Sequence, residues 1–401
     1  MRRNKQMLLS RIRDKIYIMK LLDRYMNEII CSIIVAWNNF FIKGKDNIAS
    51  TYSVHKILLI KLWGVGNITI LLPIVKSFKE RYEDAELFLL TYDLNKGLTN
   101  SLPFITKTFY VKFPQNRNII NVIKEFLKYL GIFRKEQIDL LVNFESNNRI
   151  LAMLSYFIGA KVRIGFNTFG SKSNYLYTDL VDINHLEHVS KNYLRLAQKA
   201  DVKIEKYQYL NIAKFLPESD KVKRLIQQQR LSGNIIVLHI GSSENFKGKR
   251  WPNSNFARLA DMLAEKYHCV IIFTGTEAEK EIIEEAINSM KCPALNLCGK
   301  LSMEEFIKLL TNCYLFISNN TGPLHIASSI GLNTVGLYGP TNPSNYCNLN
   351  NNSINFYKSL YCSPCLTETN VKTSFCKNNI CLDTISVKEV FERIIEKFFI
   401  S

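Results

Sequence analysis

The sequence lacks the long apolar run of roughly 18 residues that a membrane-spanning helix needs. Its longest early apolar run covers only residues 29–37. The N-terminus is basic at Arg2, Arg3 and Lys5, but no apolar core with a small-residue cleavage site follows. We therefore expect neither a transmembrane helix nor a secretory signal, and we expect a cytoplasmic protein.

Cysteine is also sparse, since ten cysteines in 401 residues are too few for a disulfide scaffold. Four of them nevertheless fall within twenty positions, at Cys362, Cys365, Cys376 and Cys381. Thiolates in a tetrahedral arrangement hold zinc or iron, so one interpretation is a structural metal site. The other is a set of metal-free thiols.

Acidic residues are fewer than basic ones, with 35 Asp and Glu against 52 Lys and Arg, which gives a net charge of +17. Such an excess suggests an anionic partner, either a phosphate compound, a membrane surface or a nucleic acid. The alternative is that part of the charge is compositional drift, since Asn, Lys and Ile are all abundant. Aromatic residues are not interleaved with a basic stripe, so nothing specific supports nucleic-acid binding. Hydrophobic residues make up 47% and charged residues 22%, which excludes a disordered chain.

Residues 1–50 form a separate zone with ten basic and four acidic residues, a net charge of +6. Their apolar residues recur at spacings of three and four, which predicts an amphipathic helix. Two interpretations remain open for this extension. It either lies as a peripheral anchor on an anionic membrane or packs on the following domain.

Short apolar runs then alternate with helical segments, which predicts an α/β fold with two doubly wound parallel sheets. We expect one domain over residues 51–215 and a second over residues 216–401, which includes the cysteine-rich segment. Ligands would bind where the carboxyl ends of the strands face each other. The predicted strands cover residues 54–62, 86–91, 107–111, 139–144, 234–239, 270–274, 294–297, 315–318 and 334–337, and the predicted helices of the first domain cover residues 68–82, 119–133 and 148–158.

Two glycines, Gly64 and Gly66, link the first strand to its helix. They let backbone N–H groups approach a ligand at a helix N-terminus, which favours an anion. An ordinary tight turn would have the same pattern, so the motif alone does not decide between them.

Small and cationic residues follow the first strand of the second domain. Gly241 and Ser242 end that strand, and Lys249 and Arg250 come shortly after. Cations next to small residues suit a diphosphate leaving group when no metal neutralises its charge. The alternative is a pair of solvated loop charges.

The next strand ends in Thr274, and Glu277 follows it. A carboxylate at this place could accept hydrogen bonds from the hydroxyls of a ribose or another sugar. Alternatively, Glu277 is an ordinary acid in the first turn of a helix, where the helix dipole stabilises it.

The densest group of candidate residues follows the strand predicted at 315–318. Thr321 offers a hydroxyl, Gly322 a bare backbone N–H, and Pro323 suits the first turn of a helix that carries His325. The positive end of this helix would point at an anion in the cleft. We therefore expect a donor-binding site that also includes Asn320.

Four segments together resemble glycosyltransferase family 9, the heptosyltransferases of lipopolysaccharide core biosynthesis. They are GNITILLP at 66–73, RIGF at 163–166, KRWP at 249–252 and SNNTGPLHIA at 318–327. The resemblance spans about residues 56–385. It implies the GT-B fold, with an acceptor domain followed by a domain that binds a nucleotide-activated sugar, often ADP-heptose. It also implies inverting transfer without a cofactor to a saccharide or lipid-linked saccharide, and some similar enzymes carry iron on four cysteines.

Two positions depart from the family pattern. The family's proposed general base corresponds to Asn67, and a second acid corresponds to Asn320. An amide cannot take a proton at neutral pH, so another acid would have to serve, with Glu145 the first candidate and Asp93 the second. The alternative function is a catalytically impaired member that binds a nucleotide-sugar or a glycan.

Overall fold

The computed structural model describes residues 29, 31–34, 53–112, 119–228, 234–242, 248–367, 376 and 378–399. Within these ranges, none of the helices is both long and apolar enough to cross a bilayer.

The first sheet has six parallel strands in the order β3-β2-β1-β4-β5-β6. The chain order reverses between β1 and β4, and such a switch point is where open α/β sheets bind ligands. The strands are β1 (Lys56–Ile60), β2 (Glu86–Tyr92), β3 (Lys107–Val111), β4 (Leu140–Asn143), β5 (Val162–Asn167) and β6 (Asp179–Asp182).

Both faces of this sheet are buried, because successive side chains of a strand point to opposite faces. On β1, Ile57 and Leu59 belong to the cluster beneath one pair of helices, and Leu58 and Ile60 to the cluster beneath the other. The helices of this domain are α1 (Val65–Arg81), α2 (Lys96–Thr99), α3 (Ile119–Glu136), α4 (Arg149–Ile158) and α5 (Val189–Lys199).

The second sheet repeats this topology with the order β12-β11-β10-β7-β8-β9, again all parallel. Its switch point lies between β7 and β10. The strands are β7 (Ile235–His239), β8 (Val270–Phe273), β9 (Ala294–Asn296), β10 (Leu315–Asn319), β11 (Asn333–Tyr338) and β12 (Ser353–Tyr357). The helices are α6 (Asp220–Gln228), α7 (Asn253–Tyr267), α8 (Lys280–Asn288), α9 (Met303–Leu310), α10 (Gly322–Ser329), α11 (Pro343–Tyr346), α12 (Ile380–Asp383) and α13 (Val387–Phe398).

The prediction of two doubly wound sheets is confirmed, and all nine predicted strands are present. Three further strands, β5, β6 and β12, were not expected. Strand β6 reads DLVD and lies at the sheet edge, so it lacks the continuous apolar run that marks a strand buried on both faces. Helix α1 begins at Val65, three residues before the predicted start, because Gly64 serves as its N-cap with φ of 81°.

The described part of the N-terminal extension packs on the first domain. Cys31 is fully buried, and with Ile34 it contacts a cluster that includes residues of α4. These residues therefore pack on the following domain, which is the second of the two interpretations given above. Ile29 and Ile33 are exposed, and residues 1–28 and 35–50 lie outside the described residues.

The carboxyl edges of the two sheets face each other and touch at several places. Beyond β1, Gly66 lies against α10, and beyond β2, Gly97 lies so close to Met303 that an added Cβ would be 2.5 Å from its Cβ atom. Beyond β6, the Nε2 atom of His188 is 3.2 Å from the carbonyl oxygen of Cys347. The predicted ligand-binding edges are thus brought together.

Candidate active site

The N-terminal ends of helices α1 and α10 meet at the domain junction. A Cβ atom added to Gly322 would lie 3.0 Å from the Cβ of Val65 and 3.2 Å from the backbone nitrogen of Gly66. Each helix end carries partial positive charge on its free N–H groups. Two converging ends therefore make the junction attractive to an anion.

Asn67 lies in the first turn of α1 and is half-buried. Its side-chain Nδ2 atom would be 3.5 Å from a Cβ added to Gly64, so the amide folds back over the glycine turn. This turn stands next to the contact with α10. The structure thus places Asn67 at the junction, on the side of the first domain.

Glu145 forms a buried ion pair with Lys61 across the switch point of the first sheet. Its Oε2 atom accepts a hydrogen bond from Lys61 Nζ at 3.1 Å, and its Oε1 atom accepts from the backbone N–H groups of Leu62 and Trp63 at 2.8 Å each. Burial opposes the charge on Lys61, but the attraction of Glu145 and the contact with Tyr193 outweigh it and raise the pKa of Lys61. The carboxylate that we considered as a substitute base therefore holds the loop after β1 in place.

Asn319, the last residue of β10, makes comparable contacts across the switch point of the second sheet. Its Nδ2 atom donates to the carbonyl oxygen of Ile240 at 2.8 Å, and its Oδ1 atom accepts from the backbone N–H of Trp251 at 2.9 Å. The amide thus ties the end of β10 to the loop after β7 and to the start of α7. This network fixes the backbone that carries Lys249 and Arg250.

Arg250 and Ser242 bond directly to each other. The Nε atom of Arg250 donates to Ser242 Oγ at 3.0 Å, and its second guanidinium nitrogen donates to the Ser242 carbonyl at 2.6 Å. Next to them, a Cβ on Gly241 would overlap the carboxylate of Glu279. Gly241 is therefore needed for close packing of Glu279, and Arg250 holds the buried Ser242 in place.

Lys249 lies close enough to His325 for its charge to affect the imidazole. Burial first, and then the charges of His188 and Lys249, lower the pKa of His325 to about 3. Burial likewise lowers the pKa of His188 to about 4. Both imidazoles are therefore neutral at physiological pH, which leaves Lys249 as the cation of this group.

Asn320 is buried and donates from Nδ2 to the hydroxyl oxygen of Thr341 at 2.7 Å. Thr321 is the N-cap residue of α10, and its hydroxyl lies 3.2 Å from that of Ser318. Pro323 occupies the first turn of this helix, as the sequence predicted. The segment thus brings these polar groups to the junction.

The two residues predicted beyond β8 differ in burial. Thr274 is buried with its hydroxyl 3.4 Å from Nδ1 of His239, whereas Glu277 is exposed and 3.6 Å from Lys280 Nζ. The buried acid of this loop is Glu279. Its Oε2 atom accepts hydrogen bonds from the N–H and the hydroxyl of Thr276 at 2.8 and 2.9 Å.

The four clustered cysteines share one neighbourhood but do not form a ligand set. Burial first, then the charges of Cys365, Cys376 and Cys362, raise the pKa of Cys381 to about 11. Among the described residues, no group of three or more His, Cys, Asp or Glu is arranged to hold a metal ion. The predicted metal site is therefore not assembled in this part of the chain.

The family-level comparison agrees with this geometry. The model of glycosyltransferase family 9 (heptosyltransferase) matches residues 133–375, which is more than half of the chain. The chain therefore belongs to this family. Lipooligosaccharide heptosyltransferase 2 of Haemophilus influenzae is 24% identical over 299 residues, covering 72% of this chain and 84% of its own length. Lipopolysaccharide heptosyltransferase 1 of Campylobacter coli is 25% identical over 364 residues, covering 86% and 99%.

Solved structures of this family have the same fold. The family 9 glycosyltransferase of Veillonella parvula superposes with a TM-score of 0.72 at 18% identity, covering 87% of this chain and 99% of its own. The ADP-heptose heptosyltransferase II of Escherichia coli gives 0.67 at 19%, covering 86% and 98%. The iron-containing heptosyltransferase TibC with ADP-D-beta-D-heptose gives 0.55 at 12%, covering 86% and 76%. The expected GT-B fold is confirmed.

Sequence reasoning missed three residues that organise the site, namely Lys61, Glu279 and Asn319. Lys61 lies three positions before Gly64, but its partner is 84 positions away in the chain. Glu279 could have been found from the Thr276-x-x-Glu279 capping box, which the structure contains. Asn319 had no distinguishing signal, because neighbouring positions are also asparagine and serine.

Proposed function

We propose that the protein is an inverting glycosyltransferase that moves a heptose-like sugar from a nucleotide diphosphate donor to a saccharide acceptor of the lipopolysaccharide core. ADP-heptose is the donor we expect, because relatives that match most of the chain are heptosyltransferases and a structural neighbour was solved with ADP-D-beta-D-heptose. The observation that carries the proposal is the meeting of two positive helix ends beside Lys249.

The donor diphosphate would bind at this junction. In the transfer, the acceptor hydroxyl attacks C1 of the sugar, the bond from C1 to the diphosphate oxygen breaks with its electron pair, and the hydroxyl proton passes to a base. Lys249 and the N–H groups at Thr321, Gly322 and the start of α10 would stabilise the negative charge on the leaving group. No metal is needed in this scheme. Glu277, which is exposed at the edge of the second sheet, would hold the ribose hydroxyls.

Asn67 stands where the family has an acid, so this chain lacks a general base at that position. Glu145 makes three hydrogen bonds within its own domain, so we assign it the role of positioning the loop with Gly64 and Gly66. Transfer would then rely on leaving-group stabilisation and on proton loss to solvent. Losing a general base typically costs a factor of roughly 100 to 10,000, so slow turnover is expected.

The second candidate function is a non-catalytic protein that binds the nucleotide-sugar or a glycan. The amides at Asn67 and Asn320 favour it, whereas the retained Lys249 and His325 favour the enzyme. One assay separates the two functions. Purified protein is incubated with ADP-heptose, or with other nucleotide-sugars, in the presence and absence of a lipopolysaccharide core acceptor. Acceptor-dependent release of ADP, with inversion at C1 seen by NMR, is expected of the enzyme. Donor binding with no release in any combination would leave the binding protein.

We also propose a structural zinc or iron ion on Cys362, Cys365, Cys376 and Cys381. The support is their shared neighbourhood and the preference of thiolates for these metals. As the residues stand they do not form a tetrahedral set, so binding would require the exposed thiols to move toward Cys381. Stoichiometric metal in protein purified without added metal, lost in Cys365→Ser/Cys381→Ser, is expected. Metal-free protein of full stability would contradict the proposal.

The acceptor would be lipid-linked, so we propose that the protein works at the cytoplasmic face of an anionic membrane. The basic N-terminal zone and the net charge of +17 support this location. Sedimentation with vesicles of phosphatidylglycerol and phosphatidylethanolamine tests it. Failure to bind at low salt would remove the membrane from the proposal.

A further inference from the structure

Helix α3 carries a row of aliphatic side chains that remain in contact with solvent. Ile120, Ile123 and Leu127 are 55%, 51% and 59% exposed. Their spacing of three and four places them on one face of the helix. On the opposite face, Tyr129 and Phe133 are buried against the sheet. The packing of α3 on its own domain therefore does not explain the exposed row.

Lysines accompany this row on the same face. Lys124 and Lys128 follow Ile123 and Leu127 directly and are exposed. The two acids of α3 are already paired, Glu125 with Lys128 at 3.5 Å and Glu136 with Lys56 at 2.9 Å. Glu125 offsets the charge of Lys128, so Lys124 supplies the net positive charge beside the aliphatic groups of this face. That combination is typical of helices that lie on an anionic bilayer.

The described part of the N-terminal extension adds to the same side of the domain. Ile29 and Ile33 are 55% and 63% exposed. Cys31, between them, is buried in a cluster against which Phe126 of α3 also packs. The extension and α3 therefore flank the same part of the first domain, and both present isoleucines to solvent.

The topology places the row near the acceptor side of the cleft. Strand β3 ends at Val111 and α3 begins at Ile119, so the first turns of α3 lie toward the carboxyl edge of the sheet. In a parallel sheet all strands end at that edge, which also carries Trp63 and Gly64. A bilayer against the start of α3 would bring a lipid-linked acceptor close to the glycine turn.

We infer that the face of α3 formed by Ile120, Ile123, Lys124, Leu127 and Lys128 is a docking surface for an anionic phospholipid bilayer. The orientation rests on the proposed function, because only a lipid-linked acceptor requires the cleft to face the membrane. Binding itself involves no sugar transfer, so the docking surface and the transferase activity can fail separately.

Flotation of the full-length chain with vesicles tests the surface. The vesicles contain either phosphatidylcholine alone or phosphatidylcholine with roughly 30% phosphatidylglycerol, which makes their surface anionic. The test variant is Ile120→Gln/Ile123→Gln/Leu127→Gln, since glutamine keeps helix propensity. The matched control replaces three exposed aliphatic residues elsewhere, Leu186→Gln/Leu349→Gln/Ile380→Gln. A second pair compares Lys124→Gln/Lys128→Gln with Lys266→Gln/Lys388→Gln.

We expect the wild type to bind the anionic vesicles and the triple variant of α3 to bind at least tenfold more weakly, with thermal unfolding unchanged. Both control variants should bind like the wild type, and the lysine variant of α3 should lose the preference for anionic vesicles. Equal binding of wild type and triple variant would overturn the inference. A second result would also overturn it: the wild type is a dimer, the triple variant is a monomer, and both bind vesicles equally. A deletion of residues 1–45 that abolishes binding while the triple variant binds normally would assign the membrane contact to the extension instead.

Discussion

A Cβ atom on Gly66 would lie 2.6 Å from Cδ2 of His325, so these two residues of different domains pack too closely to leave room for a side chain on Gly66. The imidazole is buried and cannot swing away as the end of a flexible side chain could. The hydrogen on Gly66 is therefore what permits α1 and α10 to meet. Closure of the two domains depends on it.

Gly66→Ala should consequently hold the domains apart. Overpacking of this kind costs about 1–3 kcal/mol, which we expect to appear as a loss of about tenfold or more in donor affinity and transfer. Calorimetry with ADP measures the affinity. Gly131→Ala is the control, because nothing lies within 4 Å of its added Cβ, and it should bind ADP normally. Normal ADP binding by Gly66→Ala would mean that the donor site does not need the closed junction.

The buried histidines of the junction predict a loss of stability in mild acid. In the folded protein the pKa values of His325 and His188 lie near 3 and 4, below the ordinary value of 6.5. The unfolded chain therefore binds protons first as the pH falls. The contribution of these imidazoles to the free energy of unfolding is fully present above pH 6.5. Below pH 6.5 the free energy of unfolding decreases by about 1.4 kcal/mol per pH unit for each imidazole.

Urea unfolding at pH 7.5, 6.0 and 5.0 measures this slope. His325→Asn should reduce it, and His188→Asn should do the same. Replacing the exposed His185 with asparagine is the matched control and should leave the slope as in the wild type. Identical slopes in all four proteins would show that other groups cause the acid sensitivity.

The two sheets could be predicted because parallel strands buried on both faces require continuous apolar runs, which the sequence displays. Most of the candidate donor residues could be proposed from the sequence because they follow closely after such strands. The pair of Lys61 and Glu145 could not be found in this way, since local spacing contains no information about partners 84 residues apart. Glu277 and Glu279 lie only two positions apart in the chain. Glu279 is the buried one, because its carboxylate forms the capping box with Thr276.

The Lys61–Glu145 pair should make a large contribution to stability. Lys61→Met leaves a buried carboxylate without its cation, and breaking a buried pair in this way typically costs about 3–5 kcal/mol. Adding Glu145→Gln should restore part of the loss, because the amide oxygen can still accept from the N–H groups of Leu62 and Trp63. Unfolding followed by tryptophan fluorescence gives the free energies. Lys76→Met breaks the exposed pair with Glu80 and should cost less than about 1 kcal/mol. A cost for Lys61→Met no larger than this would contradict the prediction.

Lys249→Ala should weaken the binding of ADP and of ADP-heptose. A charge-assisted contact with diphosphate is worth about 1.5–3 kcal/mol, so the dissociation constant should rise by roughly tenfold to a hundredfold. Lys266→Ala, on the exposed surface of α7, is the control. Unchanged affinity of Lys249→Ala in calorimetry would remove this lysine from the donor site.

The last prediction concerns the missing base. Asn67→Asp restores a carboxylate at the start of α1, next to the junction, and should raise transfer at least tenfold, which lies within the range of general base catalysis. Glu145→Gln should lower stability far more than it lowers turnover of the protein that remains folded, because its carboxylate holds the loop after β1. If Glu145 is itself the base, Glu145→Gln should nearly abolish turnover at unchanged donor affinity, since only a transition-state role is lost. Asn67→Asp would then bring no gain.

A binding protein predicts a third result, with donor affinity intact and transfer at background in the wild type and in both variants. Single-turnover assays with ADP-heptose, together with calorimetry on the same samples, distinguish the three outcomes, and the third would end the enzymatic interpretation.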